Sequence, residues 1–90
     1  MAFPCPCCGN KTLDKEPPGT YDICPVCFWE DDPIQFADPN SAGGANSPSL
    51  ITARANYELF GACEEEMLDY VRAPLPGEAR EANGSPDAQQ

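Results

Sequence analysis

The sequence predicts a small α+β domain held together by its cysteines: a β-hairpin carrying two cysteine turns, followed by two short α-helices. Three observations predict it. Two C-x-x-C units, Cys5–Cys8 and Cys24–Cys27, are separated by residues 9–23, 15 in all. Between them, two strand-like segments flank a Pro17-Pro18-Gly19 turn. After them, Leu50, Ala53, Tyr57 and Phe60 recur at helical spacing.

The chain is short, at 90 residues, and its end does not look like a packed domain. From Pro74 to Gln90 the only large apolar side chain is Leu75, amid Pro, Gly, Glu, Ala, Asn and Ser. Such a stretch buries too little surface to offset the entropy of ordering it. The expected organisation is therefore one domain over 1–73 and a disordered acidic tail over 74–90. A domain of that size often needs a staple beyond its apolar core. Six cysteines can supply it. Met1-Ala2-Phe3-Pro4-Cys5 has no basic region or apolar stretch of signal-peptide length, and no run of 18 apolar residues follows. The expectation is a cytoplasmic protein with no membrane span. Paired thiols kept reduced there point to metal rather than to disulfides.

The elements follow in order. Lys11-Thr12-Leu13 leaves the first cysteine pair as a short strand. Pro18 and Gly19 suit the central positions of a type II turn. Thr20-Tyr21-Asp22-Ile23 returns as the second strand, with Tyr21 and Ile23 on one face. From Trp29 to Pro48 the chain reads as irregular, punctuated by Asp31-Asp32-Pro33, Asp38-Pro39-Asn40 and Gly43-Gly44. Trp29, Ile34 and Phe36 within it are expected to cover one side of the hairpin. Ser47 or Ser49 caps the first helix and Gly61 ends it. A second helix runs from about Ala62 to Arg72. Glu64, Glu65 and Glu66 lie in its first turn, and Cys63, Met67, Tyr70 and Val71 on its buried side. Pro74 prevents continuation.

The cysteine pairs carry the chemistry. Two residues between cysteines let the chain turn so that both sulfurs reach one ion, and two such turns supply a tetrahedral site. Pro6 and Pro25 preset the backbone at the start of each turn, and Gly9 permits a positive φ. Cys5, Cys8, Cys24 and Cys27 are the expected ligands of one Zn2+. Four thiolates leave no open position for water or substrate, so the ion is structural. Structural zinc contributes on the order of 10–16 kcal/mol in small zinc peptides, more than a core this size can supply. The layout is that of a zinc-ribbon or rubredoxin-like hairpin with two knuckles. Iron is the rival metal, against which stands Phe28 where a second glycine is expected. Cys7, which could pair with Cys5 or compete with Cys8 as ligand, is left unligated, either as a small residue facing solvent or core or as a thiol for redox sensing or exchange at the metal, and Cys63 reads as buried filler on a helical face.

Charge narrows the partners. Fifteen Asp and Glu stand against five Lys and Arg, a formal net charge of −10. Four thiolates on zinc add about −2. Lys11, Lys15, Arg54, Arg72 and Arg80 are scattered, so direct nucleic-acid binding is not expected, and a basic protein partner is electrostatically easier. Trp29-Glu30-Asp31-Asp32 is either an acidic, aromatic patch for such a partner or a Trp sealing the hairpin beside a solvated loop. Glu30, Asp31, Asp32 and Asp38 match no known cation-loop spacing. Arg54 either pairs with Glu58 along its helix or forks onto Asp22 or Asp31. The chain has no histidine, and no serine has a base nearby in a motif, so no catalytic set is expected.

The same residues carry a family likeness. Cys5-Pro6-Cys7-Cys8, the run from Pro17 through Cys24-Pro25-Val26-Cys27-Phe28-Trp29 to Asp32, and Gly43-Gly44-Ala45-Asn46, Ser49-Leu50, Ala53-Arg54, Asn56-Tyr57 and Phe60-Gly61 together resemble the cysteine-rich CPCC family of small bacterial proteins. The likeness covers roughly residues 3 to 74. It implies a metal-binding fold and brings no catalytic residues with it. The functional expectation is a monomeric, non-enzymatic zinc module that binds another protein as adaptor or inhibitor. The alternatives are a rubredoxin-like iron electron carrier and a thiol-based redox sensor.

Overall fold

Each C-x-x-C unit folds back on itself, and that local event sets the course of the chain. In the computed structural model, which describes residues 2–80, the amide of Cys5 donates to the carbonyl of Asn10 at 2.8 Å. This closure lays the entering strand β1 (Phe3–Pro4) antiparallel to the leaving strand β2 (Lys11–Leu13). The second unit repeats it: Cys24 donates to Trp29 at 2.9 Å, Ile23 bridges Glu30, and the Tyr21 amide reaches the Asp31 carbonyl at 3.0 Å.

The strand pairing therefore differs from the sequence expectation. Lys11–Leu13 pairs with Phe3–Pro4, not with Thr20–Ile23. The turn that joins paired segments is the knuckle itself, not Pro17-Pro18-Gly19. Tyr21 adopts φ 58, which breaks an extended strand, and Tyr21 and Ile23 are 52% and 48% exposed rather than sharing a buried face.

A short helix α1 (Pro33–Ala37) follows the second knuckle where an irregular segment was expected. Asp32 caps it, accepting from the amides of Ile34 at 2.7 Å and Gln35 at 3.3 Å, with Pro33 at the first helical position. It points Gln35 inward rather than Ile34 or Phe36, so the expectation that those two cover the hairpin is corrected: Ile34 is 69% exposed. The buried Gln35 amide organises the next loop. Its Nε2 donates to the carbonyls of Ser41, Asn46 and Pro48, and its Oε1 accepts from the Asn46 amide and side chain. Asn46 in turn exchanges two 2.8 Å bonds with the backbone of Glu30. Gly44 is needed there, because a Cβ would stand 2.6 Å from Asp32 Oδ2.

Helix α2 (Leu50–Phe60) matches its expectation at both ends. The Ser49 hydroxyl accepts from the Thr52 amide at 3.1 Å, and Gly61 closes the helix at φ 92. Leu50 and Ala53 are fully buried. The second helix is shorter and tighter than expected: Glu65–Tyr70 is a 3-10 segment with no side-chain cap at Glu64, and Tyr70 is 67% exposed. Of the apolar side expected here, Cys63 is buried and Met67 packs against the core, while Tyr70 is left outside.

The core forms around the sulfurs. Leu13, Val26, Trp29, Leu50, Ala53 and Cys63 pack with the knuckle cysteines. Beyond residue 73, where the domain was expected to end, the chain stays attached. The Lys11 amide donates to the Glu78 carbonyl, and the Arg80 amide to Asn10 Oδ1 at 2.9 Å. The remainder of the expected tail, 81–90, lies outside the described residues. No helix among the described residues is long and apolar enough to cross a membrane.

Candidate metal centre

The two knuckles bring four sulfurs together. Sγ of Cys5, Cys8, Cys24 and Cys27 all lie within 4.8 Å of one another, and all four side chains are buried. Cys5 Sγ is 3.6 Å from Cys27 Sγ, and Cys8 Sγ is 3.8 Å from Cys24 Sγ. A regular tetrahedron with metal–sulfur bonds near 2.3 Å has edges of about 3.8 Å, so the spacing fits a single four-coordinate ion. Each knuckle contributes one sulfur to each of these two close pairs.

Backbone amides are arranged to receive thiolates. The amide two residues after each cysteine reaches back to its sulfur: Cys7 N to Cys5 at 3.4 Å, Asn10 N to Cys8 at 3.5 Å, Val26 N to Cys24 at 3.4 Å, and Trp29 N to Cys27 at 3.5 Å. Positive φ at Gly9 (80) and Phe28 (73) lets the chain make this turn twice. Phe28, expected to depart from the knuckle pattern, adopts the glycine-like conformation instead. Its ring lies 5.6 Å from that of Tyr70. Thr12 adds a further donor that the sequence analysis missed. It is the unmatched residue between the Phe3–Leu13 and Pro4–Lys11 pairs, and its hydroxyl stands 2.9 Å from Cys24 Sγ.

Proton balance among the thiols follows this geometry. Cys24 is held far below the ordinary thiol range, chiefly by the neighbouring Cys27 thiol, then by Cys5 and Cys8, with Thr12 adding to the effect. Cys27 and Cys5 are pushed up, each mainly by the nearness of the Cys24 sulfur. Four buried thiols this close together form a site that a cation suits, since metal ligation replaces their protons.

Cys7 and Cys63 are buried but lie outside the four-sulfur group. Burial pushes the Cys63 thiol up to about 12. Its backbone amide donates to the Cys27 carbonyl at 2.7 Å, and its carbonyl accepts from Asn56 Nδ2 at 2.9 Å. Cys63 thus joins the chain after α2 to the second knuckle.

Other candidates from the sequence take structural places. Trp29 and Asp31 are fully buried and Asp32 nearly so; no exposed patch forms around Trp29. Asp31 Oδ2 accepts from the Thr20 amide at 2.9 Å. Asp32 Oδ2 accepts from Ala45 at the same distance, and this bond, with those to Ile34 and Gln35, holds its carboxyl below the usual range. Among the described residues, Glu30, Asp31, Asp32 and Asp38 form no cation cluster. Arg54 pairs with neither Glu58 nor Asp22 nor Asp31; its Nε donates to the Pro6 carbonyl at 2.9 Å, inside the first knuckle. Glu58 instead makes a two-pronged pair with Arg80, whose Nη1 also reaches the Cys8 carbonyl at 3.0 Å. The Arg80 guanidinium stands 5.6 Å over the Tyr57 ring, and the Tyr57 hydroxyl accepts from Asn10 Nδ2 at 3.1 Å.

Among curated proteins none matches the chain. The family profile described as Cysteine-rich CPCC matches residues 3–78, a span that holds all four clustered sulfurs and ends at Glu78, whose carbonyl accepts from the first knuckle's exit strand. The chain therefore belongs to the cysteine-rich CPCC family.

Proposed function

We propose that the four sulfurs hold one structural Zn2+, giving a zinc-ribbon-like module that has no catalytic activity and binds another protein as adaptor or inhibitor. The observation that carries this reading is closure of the site. All four sulfurs are buried, and each is approached by its own backbone amide. A tetrahedral ion held this way has no face left for water or substrate, so its contribution is to folding.

The acidic surface supports a basic partner. With Trp29 and Asp31 buried, one exposed surface that joins acidic to aromatic side chains is the 3-10 segment, where Glu65, Glu66 and Asp69 accompany Leu68 and Tyr70. Burial and the adjacent Glu66 carboxylate raise the Glu64 carboxyl, a sign of crowded negative charge that a Lys- or Arg-rich segment would relieve. A thiol sensor is less well supported, because both spare cysteines are buried.

Elemental analysis with an absorption spectrum tests the metal: one zinc per chain and no visible band is expected, whereas a coloured iron protein would support the electron carrier. Immobilised full chain should then retain a basic protein from cell extract at low salt and release it as salt rises. Retention of no specific protein, or retention indifferent to salt, counts against the adaptor.

A further inference from the structure

We propose that a groove beside the first knuckle binds a small molecule with an apolar body and a single carboxylate. The groove encloses about 470 Å³ and is walled by Phe3, Pro4, Pro17 and Phe36. That volume lies in the range of small-molecule sites, roughly 300–1,000 Å³. It also accounts for Phe36, which α1 leaves 40% exposed.

The charges select the ligand. Of the chain's five cations, Lys15, Arg72 and Arg80 are paired with Asp22, Glu78 and Glu58. The remaining two, Lys11 and Arg54, have no carboxylate partner among the described residues, and both line this groove. Arg54 is fixed by its Nε bond to the Pro6 carbonyl at 2.9 Å, and among the described residues its two terminal nitrogens have no hydrogen-bond partner. A guanidinium held in this way is prepared to fork onto a carboxylate without further loss of freedom. Glu16 also lines the groove, so two cations and one anion leave a net charge of one, which matches a monoanion. In a chain of formal charge −10, this is a local reversal of sign on an apolar surface.

The test uses the metal-loaded full chain and three probes of one shape: 4-phenylbutyrate, 4-phenylbutanol and 4-phenylbutylamine. Each is titrated while amide and Arg54 side-chain resonances are followed by NMR. The carboxylate should produce saturable shifts at Gly9, Lys11, Phe36 and Arg54 Nε–H while leaving Met67 and Leu68 unmoved. The alcohol should bind several-fold more weakly, and the amine more weakly still. Lys11→Gln should lower carboxylate affinity about threefold to tenfold, the worth of one partly exposed charge contact. Phe36→Ser should weaken all three probes alike; both variants leave the cysteines and the Arg54–Pro6 bond in place. Equal affinity for the three probes, tighter binding of the amine, absence of shifts at these residues, or indifference to Lys11→Gln would overturn the proposal.

Discussion

The two knuckles share one backbone and differ in what holds them. In each, the cysteine amide at the start bonds the carbonyl five residues on, 2.8 Å in the first and 2.9 Å in the second. In each, the residue after the second cysteine donates back to the first cysteine's carbonyl and has positive φ. The last position then diverges. The second knuckle ends in Trp29, fully buried in the core. The first ends in Asn10, whose amide group bonds the Tyr57 hydroxyl and the Arg80 backbone. The local template gathers the sulfurs; the anchor is a separate choice, apolar in one knuckle and polar in the other.

The largest expected asymmetry comes from truncating the anchors. Trp29→Ala should cost about 3–5 kcal/mol through lost burial and a cavity. Asn10→Ala should cost about 1–3 kcal/mol, because its partners are left short of a hydrogen bond but no large void opens. Chemical denaturation of the metal-loaded variants measures both, and equal losses would break the distinction. A smaller effect tests the shared template. Gly9→Ala places a side chain at φ 80 and should cost about 1 kcal/mol. Phe28→Gly relieves similar strain at φ 73 but loses the contact with Tyr70, so its net effect should be near zero.

The smallest effect concerns pH and reaches the first knuckle through Glu58 and Arg80. The Arg80 guanidinium holds the Glu58 carboxyl below its ordinary value near 4.5. A carboxyl lowered in the folded state stabilises above its unfolded pKa and loses that contribution as pH falls through the lowered folded value. The pair is partly exposed, so about 0.2–1 kcal/mol is at stake. Hydrogen exchange at Lys11, whose amide donates to Glu78, should therefore accelerate in acid before exchange at Cys24 does, after correction for intrinsic rates. Glu58→Gln should bring the faster exchange at Lys11 to neutral pH and abolish its acid dependence; exchange at Lys11 unchanged by the substitution would show that the Glu58–Arg80 pair does not pin the segment.

The sequence makes the four-sulfur cluster legible because a C-x-x-C turn is a local structure: its sulfurs, prolines and Gly9 all lie within six residues. Helix α2 is legible for the same reason, with Ser49 and Gly61 marking its ends. Strand pairing is not. A hairpin between Lys11 and Ile23 satisfies the alternation pattern, but closure of each knuckle on itself competes for the same backbone groups and wins. Helix α1 had a readable signal in Asp32-Pro33, a cap followed by a proline at the first helical position. Gln35 had none, since a glutamine that satisfies a whole loop looks in sequence like any surface glutamine. The attachment of residues 74–80 was also hidden, because it rests on Arg80 and backbone bonds rather than on apolar side chains.

Under the proposed function, a thiolate-bound ion holds together knuckles that the apolar core alone would not. The most direct measurement removes it: a strong chelator with reductant, elemental analysis to verify loss, and near-UV circular dichroism with Trp29 emission to report on the core. The account predicts that the near-UV signal collapses, Trp29 emission moves to the red as the buried indole meets water, and added Zn2+ restores both. A metal-free, reduced chain whose two spectra are unchanged would contradict it.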